Sequence, residues 1–114
     1  MKTIIITGST RGIGYAMAKA FLERDCRVLI NGRSQASTQA ATEALAEEFQ
    51  GDHLLGVPGD VSDVEHVQNL WDVGINSFNQ IDIWINNAGI SHQQASPWEI
   101  PVEALQGVIH TNIL

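Results

Sequence analysis

The sequence predicts an α/β fold, in which a parallel sheet has helices on both of its faces. Short apolar segments alternate with stretches of helical spacing, and each change of period falls at a cluster of Gly, Ser or Asp. Strands that alternate with helices form parallel sheets through right-handed crossovers. The 114 residues are 44% hydrophobic and 17% charged, which is typical of a globular chain and argues against a disordered or fibrous one.

Two strands and two helices alternate in the first half of the chain. Residues 3–7 and 27–31 are rich in apolar and β-branched side chains, and we predict that both form buried strands. Residues 8–12 connect the first strand to a helix. The apolar stripe of that helix contains Ile13, Ala16, Met17, Ala20 and Phe21. The second helix is predicted to end at Gly51. Its apolar stripe contains Ala41, Ala44, Leu45 and Phe49.

The same alternation continues in the second half. Residues 53–57 are predicted to form the third strand and residues 81–85 the fourth. Between them, Ser62 and Glu65 have the spacing of a capping box, which predicts the start of a third helix. The apolar face of that helix contains Val64, Val67, Trp71, Ile75 and Phe78.

The last part of the chain is predicted to contain a loop and a further helix. Residues 91–100 are polar and include Pro97 and Trp98, which favours a loop. Residues 102–114 have the apolar spacing of a helix. No internal repeat or linker interrupts the pattern, so we expect a single domain.

Charge and composition limit the possible partners. Six Lys and Arg against thirteen Asp and Glu give a net charge of −7, which opposes binding to nucleic acid or anionic membranes. The longest apolar runs, residues 4–6 and 28–30, are too short to span a bilayer. The single Cys26 excludes an internal disulfide, and the histidines lack metal-ligand spacing. We therefore expect a cytoplasmic protein that binds no metal.

Three glycines lie where the first strand meets the first helix, in the segment TGSTRGIG at residues 7–14. Glycines let the backbone turn tightly and approach a ligand closely, and a helix N-terminus attracts anions. The spacing G-x-x-x-G-x-G differs from both the G-x-G-x-x-G fingerprint and the P-loop. A tight turn alone would account for one glycine, whereas three in this position favour phosphate binding.

Three further segments accompany the glycine loop in order. Asp60 and Val61 follow the third strand, Asn86-Asn87-Ala88-Gly89 follows the fourth, and Asn112 lies in the last predicted helix. Together with Thr7-Gly8-xxx-Gly12-Ile13-Gly14, they resemble the motifs of the short-chain dehydrogenase/reductase family, over residues 2–114. The resemblance implies a Rossmann-type doubly wound fold, with residues 1–114 forming part of an NAD(P)-binding domain.

The resemblance also implies roles for these residues. The expected contacts to the cofactor pyrophosphate are Gly8, Ser9, Gly12, Ile13 and Gly14. The adenine is expected to meet Asp60 and Val61, and the ribose to lie near Asn87, Ala88 and Gly89. Asn112 corresponds to the family's catalytic asparagine, which organises a proton relay. Each of these residues also has an interpretation that involves no cofactor. Asp60 is equally well interpreted as a turn residue, and the Asn-rich segment as an ordinary turn. Asn112 could equally be a buried polar group that is hydrogen-bonded within the core.

Two arginines favour NADP over NAD as the cofactor. An acidic residue after the second strand accepts the ribose hydroxyl of NAD and repels the 2′-phosphate of NADP. Gly32 stands where NAD-dependent family members often have Asp, and Arg33 follows it. Arg11 adds a second cation near the predicted phosphates. Either arginine alone would be interpreted as a solvated surface charge.

The family places its catalytic Ser and Tyr-x-x-x-Lys after the asparagine, beyond Leu114 here. The only tyrosine, Tyr15, does precede Lys19 with this spacing. Both lie on the first helix, away from the expected substrate, so we do not interpret them as the catalytic pair. We therefore expect a partial chain, inactive alone, whose C-terminal catalytic half is absent.

The complete enzyme implied by the resemblance is an oxidoreductase. It would transfer a hydride between NADP and a small-molecule carbonyl or alcohol substrate, as a homo-oligomer. The family sheet has the order 3-2-1-4-5-6-7, so the fourth strand of this chain is expected to be an exposed edge that favours association. The alternative is a non-catalytic module that binds a nucleotide or a partner subunit.

Overall fold

The computed structural model describes residues 1–88 and 110–111, and its strands form one parallel sheet. The strands are β1 Thr3–Ile6, β2 Arg27–Gly32, β3 Leu54–Pro58, β4 Ile83–Ile85 and β5 His110–Thr111. Their spatial order is β3-β2-β1-β4-β5, and every pairing is parallel. The α/β class with a Rossmann-like sheet is therefore confirmed.

Three helices cover the two faces of the sheet. They are α1 Gly12–Glu23, α2 Gln35–Ala46 and α3 Val64–Phe78, and a short 3₁₀ turn, Gly51–His53, precedes β3. Successive side chains of a strand point to opposite faces. Ile4 and Ile6 accordingly lie in one core cluster with residues of α1 and α2, whereas Ile5 packs in a second cluster with α3.

The strand order places a crevice at one end of the sheet. The chain runs outward from β1 through β2 to β3 and then returns to add β4 on the other side of β1. In such sheets, ligands bind outside the carboxyl ends of the strands, at the point where the order reverses. Here that point lies between β1 and β4, where the glycine loop and residues 86–88 begin.

The predicted apolar stripe of the first helix is confirmed at Met17 and Phe21, which pack against the core, and is wrong at its first two residues. Ile13 is 66% exposed and Ala16 is also exposed. The buried positions are instead Gly14, Ala18 and Leu22, four residues apart. Because Gly14 and Ala18 are small, the helix axis can approach the sheet closely on this side. The helix therefore turns these two residues toward the sheet and leaves Ile13 in solvent.

The other two helices differ from the prediction in similar ways. In α2, Ala44 is exposed and Thr38 is buried, and the helix ends at Ala46 instead of Gly51. In α3, Val64 is 49% exposed. Asp63 caps this helix in place of the predicted Ser62, because its carboxylate accepts the Glu65 N–H at 2.9 Å.

The fourth strand is not an edge, contrary to the prediction. Trp84 pairs with His110 and Ile85 with Thr111, so β5 covers the side of β4 that was expected to be open. His110 and Thr111 are thus in a strand and not in the predicted helix. The predicted loop at 91–100 and the rest of that helix lie outside the described residues. In residues 1–88, no helix has the length and apolar character that crossing a bilayer requires.

Candidate functional site

Gly8 begins the loop after β1 and is in close contact with the segment after β4. Its φ is +60°, and a Cβ at this position would lie 2.8 Å from the Cα of Ala88. Its carbonyl oxygen accepts a hydrogen bond from the Asn87 side-chain amide at 2.9 Å. Glycine is therefore required here both for the left-handed backbone and for the close approach of two loops.

Thr7 joins the same two loops through its buried hydroxyl. The Oγ1 atom accepts hydrogen bonds from the N–H groups of Asn87 and Ala88, at 2.9 and 3.0 Å. The hydroxyl in turn lies within donating distance, 3.3 Å, of Asn86 Oδ1. Predicted residues from distant parts of the sequence, Gly8, Asn87 and Ala88, are thus brought together at the crevice between β1 and β4.

The backbone N–H and the hydroxyl of Ser9 both form hydrogen bonds within the protein. Its N–H donates to the Asn31 carbonyl at 2.7 Å, and its hydroxyl donates to the Ile6 carbonyl at 2.7 Å. The Ser9 Oγ also accepts the Asn31 N–H at 2.8 Å, and the residue is completely buried. The contact between Ser9 and a cofactor stays a prediction, but both of its hydrogen-bond donors already have partners.

Free hydrogen-bond donors are expected at the start of α1. The first N–H groups of a helix have no partner within the helix, and they carry the positive end of its dipole. Ser34 caps α2 and Asp63 caps α3 with side-chain hydrogen bonds, whereas Arg11, the N-cap of α1, makes none. Among the three helices of the described part, only α1 therefore begins without a side-chain cap.

The other two glycines of the loop have different roles. A Cβ at Gly14 would lie 2.5 Å from the Gly8 carbonyl and 2.6 Å from the Asn87 amide, so Gly14 lets α1 pack against both loops. Gly12 has φ +64°, and a Cβ there would meet nothing within 4 Å. Open space thus lies beside the uncapped helix end, as a bound anion requires.

Arg33 and Asp60 lie side by side after β2 and β3. The Arg33 side chain is 83% exposed, and its Nη2 is 3.4 Å from Asp60 Oδ2. Hydrogen bonds from the Ser62 N–H and hydroxyl, followed by the Arg33 charge, hold the pKa of the Asp60 carboxyl below its usual value. Asp60 is therefore charged at neutral pH.

A residue of α3, His66, also contacts the loop that contains Asp60. The Asp60 N–H donates to His66 Nδ1 at 3.0 Å, and the His66 ring lies over Gly59, where a Cβ would be 3.3 Å from the ring. Val61, the other residue predicted to meet the adenine, is half-buried and packs on the α3 side of the core.

Asn31 is a site residue that the sequence analysis missed. It is 2% exposed, and its side-chain oxygen accepts the Gly8 N–H at 3.1 Å. Its amide nitrogen donates to the carbonyls of Val57 and Gly59, at 3.1 and 3.0 Å. The sequence does contain a sign of this role, because Asn31 is an amide residue at the end of an otherwise apolar strand. The sequence analysis treats it only as part of that strand.

The remaining predicted residues are not brought into this cluster. Arg11 is exposed at the start of α1. Tyr15 packs against the core beneath α1, and Lys19 Nζ is 3.4 Å from Glu48 Oε2. These positions agree with the interpretation that the two are not a catalytic pair. Gly89 and Asn112 lie outside the described residues.

Comparisons with known proteins cover almost the whole chain. The family model described as short chain dehydrogenase matches residues 2–114. The chain is 43% identical over 112 residues to chlorophyll(ide) b reductase NOL, chloroplastic, of Oryza sativa subsp. japonica, covering 97% of this chain and 33% of that protein. It is 35% identical to glucose 1-dehydrogenase 2 of Bacillus subtilis strain 168, covering 98% of this chain and 43% of that protein.

A solved structure agrees with both sequence comparisons. The L-sorbose reductase of Gluconobacter frateurii, complexed with NADPH and L-sorbose, superposes with a TM-score of 0.72 and 34% identity, over 77% of this chain and 33% of that one. The chain thus spans less than half the length of these relatives. Since the family model extends from residue 2 to residue 114, this chain belongs to the short-chain dehydrogenase family.

Proposed function

We propose that this chain is the cofactor-binding part of an NADP-dependent oxidoreductase. The observation that carries the proposal is the uncapped start of α1, which opens onto free space at Gly12, at the reversal point of the sheet. When bound there, the nicotinamide dinucleotide would supply hydride transfer to or from a small-molecule carbonyl or alcohol substrate.

The residues at the crevice fit the pyrophosphate of such a cofactor. The first-turn N–H groups of Gly12, Ile13 and Gly14 are free of intrahelical partners and favour negative charge. Gly8 and Gly14 let the loop, α1 and Asn87 pack closely, so these amides are held in place before any ligand binds. A preorganised anion site loses less entropy on binding.

Two features after β2 support NADP over NAD. No acidic side chain is present at position 32, and a Cβ there would contact the Thr10 and Thr38 side chains, so the backbone is closely packed at this point. The Arg33 guanidinium is exposed and follows directly. An exposed ion pair such as Arg33–Asp60 contributes little energy, and a 2′-phosphate would therefore compete with Asp60 for the arginine.

The chemistry of the substrate follows from the relatives only in general terms. The relatives include a chlorophyll(ide) b reductase, a glucose 1-dehydrogenase and an L-sorbose reductase, and the substrates that these names give share a carbonyl or alcohol group. NADPH is present in the sorbose reductase complex, which supports the proposed cofactor. We propose Asn112 as the catalytic residue of this chain and a homo-oligomer as the complete enzyme.

A binding titration with NADPH and NADH tests the proposal. We expect the chain to bind NADPH more tightly, and Arg33→Asp to weaken NADPH binding by about 10- to 100-fold, as expected for loss of a charge-assisted phosphate contact. Binding of NADH should change much less, because it has no 2′-phosphate.

Arg24→Asp is the matched control. It makes the same charge change at the exposed C-terminal end of α1, where the Arg24 side chain donates only to the Ala20 carbonyl. Equal losses for both cofactors in Arg33→Asp would contradict the NADP assignment. A folded chain that binds neither NADPH nor NADH would contradict the proposed function itself.

A further inference from the structure

We infer that Asn31 is a positioning residue that couples the two halves of the proposed cofactor site. One half is the glycine loop with the start of α1, and the other is the loop of residues 59–61 after β3. The inference rests on the proposed function, because it concerns how one dinucleotide would be held by both loops at once.

The contacts of Asn31 extend in both directions across the sheet end. Toward β1, its Oδ1 accepts the Gly8 N–H, and its backbone exchanges hydrogen bonds with Ser9. Toward β3, its Nδ2 donates to the carbonyls of Val57 and Gly59. One buried side chain therefore connects the residue that opens the glycine loop to the residue before Asp60.

The chemistry of the side chain is specific to this task. A primary amide has an acceptor at one end and two donors at the other, and it carries no charge. An aspartate would keep the acceptor for Gly8 but lose both donors and bury a charge. A leucine of similar size would leave the Gly8 N–H and the Gly59 carbonyl without their partners.

This arrangement fixes the spacing of the two loops before a ligand is present. A ligand that spans both loops benefits from that fixed spacing, whereas a ligand that touches only one does not. We therefore expect the loss of the Asn31 amide to weaken binding of the whole dinucleotide by a larger factor than the product of the factors for its two fragments. A residue that only stabilises the fold would not show this difference.

The experiment compares three ligands in wild type and Asn31→Leu. NADPH spans both loops, 2′-AMP probes the Arg33–Asp60 side, and inorganic pyrophosphate probes the helix end. We expect Asn31→Leu to weaken NADPH binding by about tenfold or more, with less than about a twofold change for each fragment. Calorimetric titrations at equal fractions of folded protein give the three affinities.

Two further variants keep the outcome interpretable. Thr42→Val removes another polar group of α2, whose hydroxyl donates to the Thr38 carbonyl, and it should leave all three affinities unchanged. If Asn31→Leu does not fold, Asn31→Asp retains the acceptor for Gly8. Its buried negative charge weakens binding of every anion, so the inference then requires an NADPH loss that exceeds the product of the losses for 2′-AMP and pyrophosphate.

The possible results separate this inference from the proposed function. If the NADPH loss equals the product of the two fragment losses, Asn31 has only a structural role and the inference is wrong, while the proposed function stands. If the folded wild-type chain binds neither NADPH nor NADH, the proposed function fails and the inference fails with it.

Discussion

The two ends of the parallel sheet are stabilised by different kinds of polar group. At the amino end, the Thr3 N–H donates to the Asp82 carboxylate at 2.8 Å, and the Arg27 guanidinium donates to the Phe78 carbonyl at 2.7 Å. At the carboxyl end, the buried connecting groups are neutral hydroxyls and amides, and the charged Arg33–Asp60 pair is exposed. Thr7, Ser9 and Asn31 are among them, and all three are buried.

The difference follows from what each end must do. Charged groups at the amino end remain partly in water, so their desolvation is small. At the carboxyl end, buried neutral groups position the loops without adding a charge of their own, so the charges near the crevice are those of the helix dipole and of the exposed Arg33–Asp60 pair. The hydrogen bond from Thr3 to Asp82 should therefore depend on pH, whereas the buried groups at the carboxyl end depend on packing and hydrogen bonding.

Glycine substitutions in the loop test the packing at the carboxyl end and should have the largest effect. Gly8 and Gly12 have nearly equal φ values, +60° and +64°, but only Gly8 faces Ala88. Gly12→Ala should lower the free energy of unfolding by about 1 to 2 kcal/mol through left-handed strain alone. Gly8→Ala should cost about 1 to 3 kcal/mol more through overpacking. Urea unfolding measures both, and equal losses would show that the contact with Ala88 is unimportant.

Removal of the Thr7 hydroxyl tests the hydrogen bonds at the same end. Thr7→Val leaves the N–H groups of Asn87 and Ala88 without their acceptor, so we expect a loss of about 1 to 3 kcal/mol in unfolding free energy. Thr38→Val is the control, since the buried Thr38 hydroxyl only donates to a helix carbonyl that keeps other partners. Thermal unfolding should show a clearly smaller change for Thr38→Val, and similar changes would refute the special role of Thr7.

The smallest effect is expected at the amino end, and it depends on pH. The Thr3 N–H, and secondarily Gln80 and Lys2, lower the pKa of the Asp82 carboxyl. A lowered pKa in the folded state stabilises the protein above the ordinary pKa of Asp, and this contribution is lost as the pH falls through the lowered value. Asp82→Asn should therefore be less stable than wild type at pH 7, with the difference shrinking below about pH 4.

Asp72→Asn provides the comparison for this measurement. Asp72 is exposed on α3 and accepts a hydrogen bond only from the Gln68 side chain of the same helix. Its substitution should change stability little at any pH. A difference between wild type and Asp82→Asn that is the same at pH 3 and pH 7 would show that the carboxylate charge is not involved.

The order of strands and helices could be predicted because each strand is a short apolar run with turn residues on either side. The helix faces were predicted less well, since apolar periodicity gives weight to large side chains. In α1 the sheet contact is made through Gly14 and Ala18, which let the helix approach closely, while Ile13 remains outside. The pairing of β4 with β5 joins residues 84 and 110, and no local pattern indicated a strand at His110–Thr111.

The candidate site was predicted where its residues form a contiguous motif. The glycine loop and the segment at residues 86–88 do lie together at the crevice. The role of Asn31 was missed because it depends on the simultaneous presence of β1 and β3 beside β2. The proximity of Arg33 and Asp60 has the same origin, since they follow neighbouring strands.

The exposed Ile13 at the start of α1 has a thermodynamic consequence. Its side chain is in contact with water at the edge of the loop that we propose to hold the pyrophosphate. A dinucleotide that rests on it would remove apolar surface from solvent, and burial of apolar surface lowers the heat capacity. The enthalpy of association would then become more favourable as the temperature rises, and this isoleucine would contribute to that dependence.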